Sequence, residues 1–179
     1  MNMKQQVLSN LAKIGAVQIG EKDPSYMEAQ TWARMCAKAL GYKAQVSMPE
    51  AWSAPSEVPG DAQYGVYAPE IEMVIISSNA TALEDRTNLL VHEFMHHIQH
   101  TEKNLLSVAR ATNSVFDENG GAVCEWHEQE AMLVQAMWYN GCLNPRDPRV
   151  LAHKEQLIAS YIEASKEASK HNKQIGRAH

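Results

Sequence analysis

Apolar side chains recur every three or four residues in four stretches of the chain, and this spacing predicts a helix in each. The predicted helices span residues 25–40, 83–99, 122–139 and 149–170. Ser25 and Glu28, which follow Asp23-Pro24, have the spacing of a capping box at the start of the first helix. Asp147-Pro148 supplies an N-cap and a first-turn proline for the last one.

Between the first two helices the pattern changes to short, β-type segments. Residues 44–60 contain three prolines and are predicted to form a loop with one short strand at Ala44–Met48. Gln63–Tyr67 alternates around Gly65, and Met73–Ile76 is a short β-branched run. These segments predict a small antiparallel sheet, and residues 104–121 a connecting loop. The expected fold class is α+β, with a helix, a small sheet and then three helices.

Composition narrows the class of protein. A chain of 179 residues with 45% hydrophobic content can bury one core, so a single domain over 1–179 is expected. The net charge of −5 and the lack of a basic stripe argue against a nucleic-acid partner. Nowhere do 18 apolar residues run together, and the first 20 residues lack the apolar core of a signal peptide. We therefore expect a cytoplasmic protein without a membrane partner.

The cysteines add no covalent framework. Cys36, Cys124 and Cys142 are odd in number and show no C-x-x-C spacing. A disulfide network or a cysteine-rich zinc site is therefore not expected, and the three are predicted to be reduced, mostly buried thiols.

The segment His92-Glu93-Phe94-Met95-His96 carries the strongest chemical signal. Four residues make just over one helical turn, so His92 and His96 project from the same face of the predicted helix. Two imidazoles in this arrangement can bind one metal ion, and Glu93 then flanks the ion. This is the zinc-hydrolase signature, in which the glutamate takes a proton from a water activated by the metal. A separate face of the same helix is predicted to be the core face, with Leu90, Val91, Phe94, Met95 and Ile98.

Two further histidines follow the motif. His100 lies one turn beyond His96, but a third ligand at that spacing drifts about 80° away from His92. Motifs that recruit a third histidine from nearby use a glycine where this chain has Gln99. We therefore expect structural or supporting roles for His97 and His100.

A catalytic zinc site needs a third protein ligand and one open position. No Lys or Arg occurs between Arg110 and Arg146, whereas the predicted helix 122–139 carries several acids. Glu128 and Glu130 are the candidate ligands, on different faces of that helix. A carboxylate at Glu130 is predicted to lie among apolar side chains, which is costly unless it is paired. The residues alone leave both candidates open.

His92-Glu93-x-x-His96 followed by Glu128-x-Glu130-Ala131 resembles the gluzincin metallopeptidases, closest to their minimal HtpX-like and ImmA/IrrE-like forms. The resemblance covers about residues 64–140. It implies a zincin-like fold, in which a sheet edge borders the substrate cleft, and Glu128 as the third ligand of Zn²⁺. The chain departs from that family at Met132, where an Asp or Asn usually holds a ligand histidine. Another side chain must then do so, and the nearby candidates are Glu125, His127 and Gln135.

The resemblance implies a zinc-dependent metallopeptidase with a peptide or protein substrate. His92, His96 and Glu128 would hold the zinc ion, and Glu93 would act as the general base. A donor to the developing oxyanion is also needed, and the candidates are Tyr64, Tyr67, His127 and Tyr139. Two other functions remain as alternatives. One is a zinc-binding regulatory or interaction module on the same fold, and the other is a metal-free helical interaction domain.

Overall fold

The computed structural model describes residues 1–55, 65–104 and 124–177, with side chains up to residue 167. The described residues form helices and strands in the α+β class, as predicted. The helices are α1 Met3–Lys13, α2 Pro24–Ala39, α3 Leu83–Lys103, α4 Trp126–Tyr139 and α5 Pro148–Arg177. The strands are β1 Val17–Ile19, β2 Glu50–Ala54, β3 Gly65–Ala68 and β4 Met73–Ser77.

The four strands form one sheet in the order β1-β2-β4-β3. β1 with β2 and β3 with β4 pair antiparallel, but β2 and β4 pair in parallel. The antiparallel pairing predicted for residues 63–67 with Met73–Ile76 is confirmed by β3 and β4, whereas β2 joins β4 in parallel, so the sheet as a whole is mixed and not antiparallel throughout. The physical reason is the position of β3, which forms a hairpin with β4 on the outer side. The other edge of β4 pairs with β2, which runs in the same direction as β4. As a result, β3 is an edge strand.

The strand predicted at Ala44–Met48 is wrong, since the strand of this region is β2. Ala44 has a φ of 54°, which is left-handed and breaks an extended chain. The backbone N–H groups of Lys43 and Ala44 donate to the carboxylate of Glu102 at 2.8 and 2.7 Å. This long-range anchor holds the unusual turn, and a local pattern does not reveal it.

The first half of the chain differs from the prediction in two ways. α2 begins one residue earlier than predicted, and the Asp23 carboxylate caps it by accepting from Ser25 N at 2.9 Å. This cap replaces the predicted Ser25/Glu28 box because Pro24 already occupies the first helical turn. In addition, α1 and β1 were not predicted. An Asn2/Gln5 capping box starts α1, and Leu11 packs in a small core with Ala54 and Met73.

Helix α3 is the central element of the fold. It contacts α2, α4, β3 and β4. The residues predicted for its core face are all fully buried: Leu90, Val91, Phe94, Met95 and Ile98. At roughly 1.5–3 kcal/mol for each large apolar side chain, this face fixes how α3 lies on the sheet. The face of α3 that carries His92 and His96 is thereby directed toward α4.

Both helices predicted for the second half of the chain are present, with shifted ends. α4 ends at Tyr139 as predicted but begins at Trp126, because Glu125 is its N-cap; the predicted helical residues 122–123 lie outside the described residues. Most of the predicted loop 104–121 also lies outside them, as does the start of the strand predicted at 63–67. α5 begins at Pro148 with Asp147 bonded to Arg149 N, and it runs beyond the predicted end to Arg177. Among the described helices, none combines the length and apolar character needed to cross a bilayer.

Candidate metal centre

Three side chains converge where α3 faces α4. The Nε2 atoms of His92 and His96, one turn apart on α3, lie 3.1 Å from each other. Glu128 in the first turn of α4 places its Oε2 3.2 Å from His92 Nε2 and its Oε1 2.6 Å from His96 Nε2. One candidate ligand atom from each of the three residues lies within 4.8 Å of the others. The described residues therefore contain a cluster that can hold a metal ion.

The distances suit a tetrahedral ion. Bonds of about 2.0–2.2 Å to nitrogen and carboxylate oxygen place neighbouring ligand atoms about 3.3–3.6 Å apart in a tetrahedron. The separations of 3.1 and 3.2 Å at His92 are close to that value, and the 2.6 Å contact between His96 and Glu128 must lengthen by less than about 1 Å. Two imidazoles and one carboxylate leave one position of such an ion for water.

Hydrogen bonds fix which nitrogen His92 directs to this point. The Nδ1 of His92 lies 2.7 Å from Oε1 of Gln135. The amide nitrogen of Gln135 donates to Oδ1 of Asn88 at 3.1 Å, so the amide oxygen must face the imidazole. His92 therefore carries hydrogen on Nδ1 and directs Nε2 to the cluster. Gln135 was one of the three candidates for the supporting residue that Met132 cannot provide.

His96 is held in the same way by Gln99. Its Nδ1 lies 2.7 Å from Oε1 of Gln99, which is fully buried. The amide nitrogen of Gln99 donates to the backbone oxygen of His127 at 3.0 Å and to Oε1 of Glu130 at 3.1 Å. This role of Gln99 was not predicted, although its position three residues after His96 on one helix face was a signal for it.

Glu130 does not join the three clustered residues. Its carboxylate accepts a short hydrogen bond from the Tyr42 hydroxyl as well as the one from Gln99. It therefore has the polar partners that a carboxylate in an apolar environment needs. Of the two acids that the sequence left open, the structure brings Glu128 to the histidines and directs Glu130 to Tyr42 and Gln99.

The electrostatics of the cluster favour a cation. Burial alone would lower the pKa of His92, but the charge and hydrogen bond of Glu128 outweigh it and raise that pKa to about 9. The pKa of His96 is also raised, because Glu128 again outweighs burial. Burial would raise the pKa of Glu128, yet the charges and hydrogen bonds of the two histidines hold it well below its usual value. The cluster thus stabilises positive charge, which a divalent ion would supply in place of a proton.

Glu93 lies beside the cluster, buried at 6% exposure, with Oε1 4.0 Å from Nε2 of His92. Burial is the main cause that raises its pKa, although both histidine charges oppose this. Strand β3 passes closely over Glu93 at Gly65. A Cβ on that glycine would meet Oε1 of Glu93 at 3.3 Å and its Cγ at 3.4 Å. Glycine at this point therefore allows the edge strand to approach the carboxylate.

The cluster opens into a cleft of about 610 Å³ between β3, α3, α4 and α5. His92, Glu93, His96 and Glu128 all line it. Apolar side chains from all four elements form much of the wall: Val66, Leu89, Met132 and Leu157. The cleft therefore combines one polar cluster with a mostly apolar surround, as is typical of a small-molecule or peptide site.

Two further polar side chains with neutral character face the cleft, His127 and Tyr161. Burial is the main cause that lowers the pKa of His127. Burial, followed by the charge of Glu128, raises the pKa of Tyr161 to about 12. His127 was a predicted candidate, whereas Tyr161 was missed, because it lies on a helix 33 residues beyond Glu128 with no motif to mark it.

The remaining predicted residues lie apart from the cluster or in structural roles. Tyr139 is 60% exposed and stacks edge-on against His153, and Tyr64 lies outside the described residues. Tyr67 donates its hydroxyl to Nδ1 of His97 at 2.7 Å, and His97 Nε2 donates to the Ser47 backbone oxygen at 2.8 Å. His97 thus links the sheet to the loop before β2, which is the structural role predicted for it.

His100 is not one of the three clustered residues. Its ring lies 6.1 Å from that of Tyr67, on the sheet side of α3. The cysteines are free thiols, as predicted, with Cys36 and Cys124 buried.

Comparison of the chain with protein-family models, curated proteins and solved structures gives no match. Function is therefore inferred from the motif, the clustered side chains and the cleft around them.

Proposed function

We propose that this chain is a zinc-dependent metallopeptidase of gluzincin type. One observation carries the proposal. His92, His96 and Glu128 bring two imidazole nitrogens and a carboxylate to one point in a cleft, with Glu93 beside them. This donor set is that of a catalytic zinc site, in which a fourth position stays open for water. The metallopeptidase resemblance of the motif is the second support.

The residues around the cluster supply the proton chemistry. Zinc at this point would lower the pKa of a bound water to about 7 and polarise a peptide carbonyl. Glu93 accepts the proton of the attacking water and delivers it to the leaving amine nitrogen. Its raised pKa favours the first step, since a carboxylate whose pKa is raised is a stronger base toward the water proton. The second step still runs downhill, because the amine nitrogen that leaves is a much stronger base than any carboxylate.

The walls of the cleft suit an extended peptide. β3 is an edge strand, and its residues Gly65, Val66 and Tyr67 line the cleft. An extended substrate can pair with such an edge through main-chain hydrogen bonds. The apolar lining favours substrates with apolar side chains near the scissile bond. His127 and Tyr161 both face the cleft and can donate a hydrogen bond to the oxyanion.

The test is metal loading followed by proteolysis. The purified protein is stripped with a chelator and titrated with zinc. Bound zinc is then counted by elemental analysis, and cleavage of casein and a mixed peptide library is followed by mass spectrometry. We expect one zinc per chain and cleavage only in the loaded form. A chain that binds no zinc contradicts the proposal. A chain that binds one zinc and cleaves nothing favours the regulatory or interaction module.

A further inference from the structure

Gln99 sits at a junction of three elements in the wall of the metal centre. Its side chain is fully buried, and its amide makes three hydrogen bonds. The oxygen accepts from His96 Nδ1 at 2.7 Å, and the nitrogen donates to His127 O and to Glu130 Oε1 at 3.0 and 3.1 Å. Every polar atom of this buried amide therefore has a partner, as a stable interior requires.

The orientation of the Gln99 amide determines which nitrogen of His96 carries hydrogen and therefore whether Nε2 can bind a metal. If the amide turned by 180°, its NH₂ group would face His96 Nδ1 and its oxygen would face two acceptors, His127 O and Glu130. Nδ1 would then have to give up its hydrogen, and Nε2 would carry it in place of a free lone pair. A histidine that carries hydrogen on Nε2 cannot offer that atom to a metal. The acceptors behind Gln99 therefore keep His96 ready to bind.

Glu130 is the stronger of the two acceptors, because a carboxylate forms hydrogen bonds about twice as strong as a neutral carbonyl does. It is itself held in place from the far side. The Tyr42 hydroxyl donates to the same Oε1 atom, and Lys103 Nζ lies 4.1 Å above the Tyr42 ring. Glu130 is therefore fixed by groups from α3 and from the turn after α2, outside the cleft.

We propose that Glu130 is a positioning residue, which holds His96 through the amide of Gln99. The inference rests on the proposed metal site. It assigns a buried relay from Tyr42 through Glu130 and Gln99 to His96, whereas His92 depends on Gln135 and Asn88. The two histidines thus have different supports, and only that of His96 ends in a carboxylate.

Two variants of Glu130 distinguish the effect of its hydrogen bonds on zinc affinity from the effect of its charge. Glu130→Met removes the acceptor, whereas Glu130→Gln keeps an oxygen for the same two hydrogen bonds and removes only the charge. Glu155→Met is the control, because Glu155 carries the same charge, is exposed on α5 and is not among the residues that line the cleft. Zinc dissociation constants are measured by competition with a chromophoric chelator.

We expect Glu130→Met to weaken zinc binding about 10- to 100-fold, the usual effect of losing such a supporting group. Glu130→Gln should recover most of this loss, and Glu155→Met should bind zinc within about threefold of the wild type. The proposal is overturned if Glu130→Met binds zinc as tightly as Glu155→Met does. It is also overturned if Glu130→Gln loses as much affinity as Glu130→Met, since charge alone would then explain the effect.

A second measurement needs no variant and therefore does not depend on how well the variants fold. Long-range ¹H–¹⁵N correlation spectra of the zinc-loaded wild-type protein show which nitrogen of His96 carries hydrogen. Hydrogen on Nδ1 and zinc on Nε2 are expected, and the reverse arrangement overturns the relay. None of these measurements uses proteolysis, so a wild type that binds zinc without cleaving leaves the relay standing while it contradicts the peptidase. A wild type that binds no zinc overturns both.

Discussion

Replacement of Gly65 by alanine tests whether the edge strand sets the position of the general base. The new Cβ would lie 3.3 Å from Oε1 and 3.4 Å from Cγ of Glu93, closer than most real Cβ contacts. Glu93 would have to move by a few tenths of an ångström. Because a misplacement of about 1 Å can cost 100-fold in rate, we expect kcat to fall about 3- to 10-fold. That loss corresponds to about 0.7–1.4 kcal/mol in the barrier.

The assay separates this effect from damage to the fold or to the metal site. Alanine is favoured over glycine within a strand by roughly 0.5–1 kcal/mol, so folding should survive the substitution. Zinc affinity should be unchanged, since the close contact is with Glu93 and not with a ligand. Gly20→Ala is the matched control, because a Cβ there meets nothing within 4 Å. A Gly65→Ala protein with the kcat of Gly20→Ala, or with reduced zinc affinity, would refute this reasoning.

Two further predictions concern the support of His92 and the buried His97. Gln135→Met removes the acceptor of His92 Nδ1 and should weaken zinc binding about 10- to 100-fold in chelator competition. Gln129→Met, on the same helix, breaks a bond to the backbone oxygen of Cys124 and should leave zinc affinity unchanged, so equal affinities of the two variants would contradict the role of Gln135. Burial lowers the pKa of His97 in the folded state below its value in the unfolded state. As the pH falls below about 6.5, the unfolded state therefore takes up a proton at His97 before the folded state does, and the free energy of unfolding decreases. Urea unfolding is measured at pH 7.5 and 5.5. Between these two pH values, the free energy of unfolding should fall less in His97→Gln than in the wild type. Equal decreases would exclude His97 as a cause of the pH dependence.

The parts of the molecule that follow one helical period were predictable from the sequence. The core face of α3 is such a part, and so is the common face of His92 and His96, because a period of 3.6 residues fixes both. The start of α5 was equally predictable from Asp147-Pro148, because capping chemistry is local.

What escaped prediction depends on contacts between distant segments. Glu102 accepts from the backbone of Ala44 from 58 residues away, and this contact holds a left-handed residue where a strand was predicted. The parallel pairing of β2 with β4 is likewise a matter of topology and not of pattern. The choice of Glu128 over Glu130 as the third residue of the cluster depended on how α4 rotates against α3, which helix faces alone left open.

α1 is a different case, because its signal was local and visible. Asn2 and Gln5 have capping-box spacing at the start of a helix with a weakly apolar face. The apolar face of this helix is not evident from the mixed order of polar and apolar residues. It is recognised only from the packing of Leu11 against Ala54 of β2 and Met73 of β4.

The role of Glu93 beside a zinc ion is best tested by Glu93→Gln, with Glu84→Gln as the control at an exposed position in the first turn of the same helix. Zinc content and peptide cleavage are measured on both proteins and on the wild type. We expect one zinc per chain in all three proteins, with cleavage retained in Glu84→Gln and reduced at least about 100-fold in Glu93→Gln. Proteolysis at the wild-type rate by Glu93→Gln, or loss of its zinc, would contradict the assignment of Glu93 as a base beside a site held by His92, His96 and Glu128.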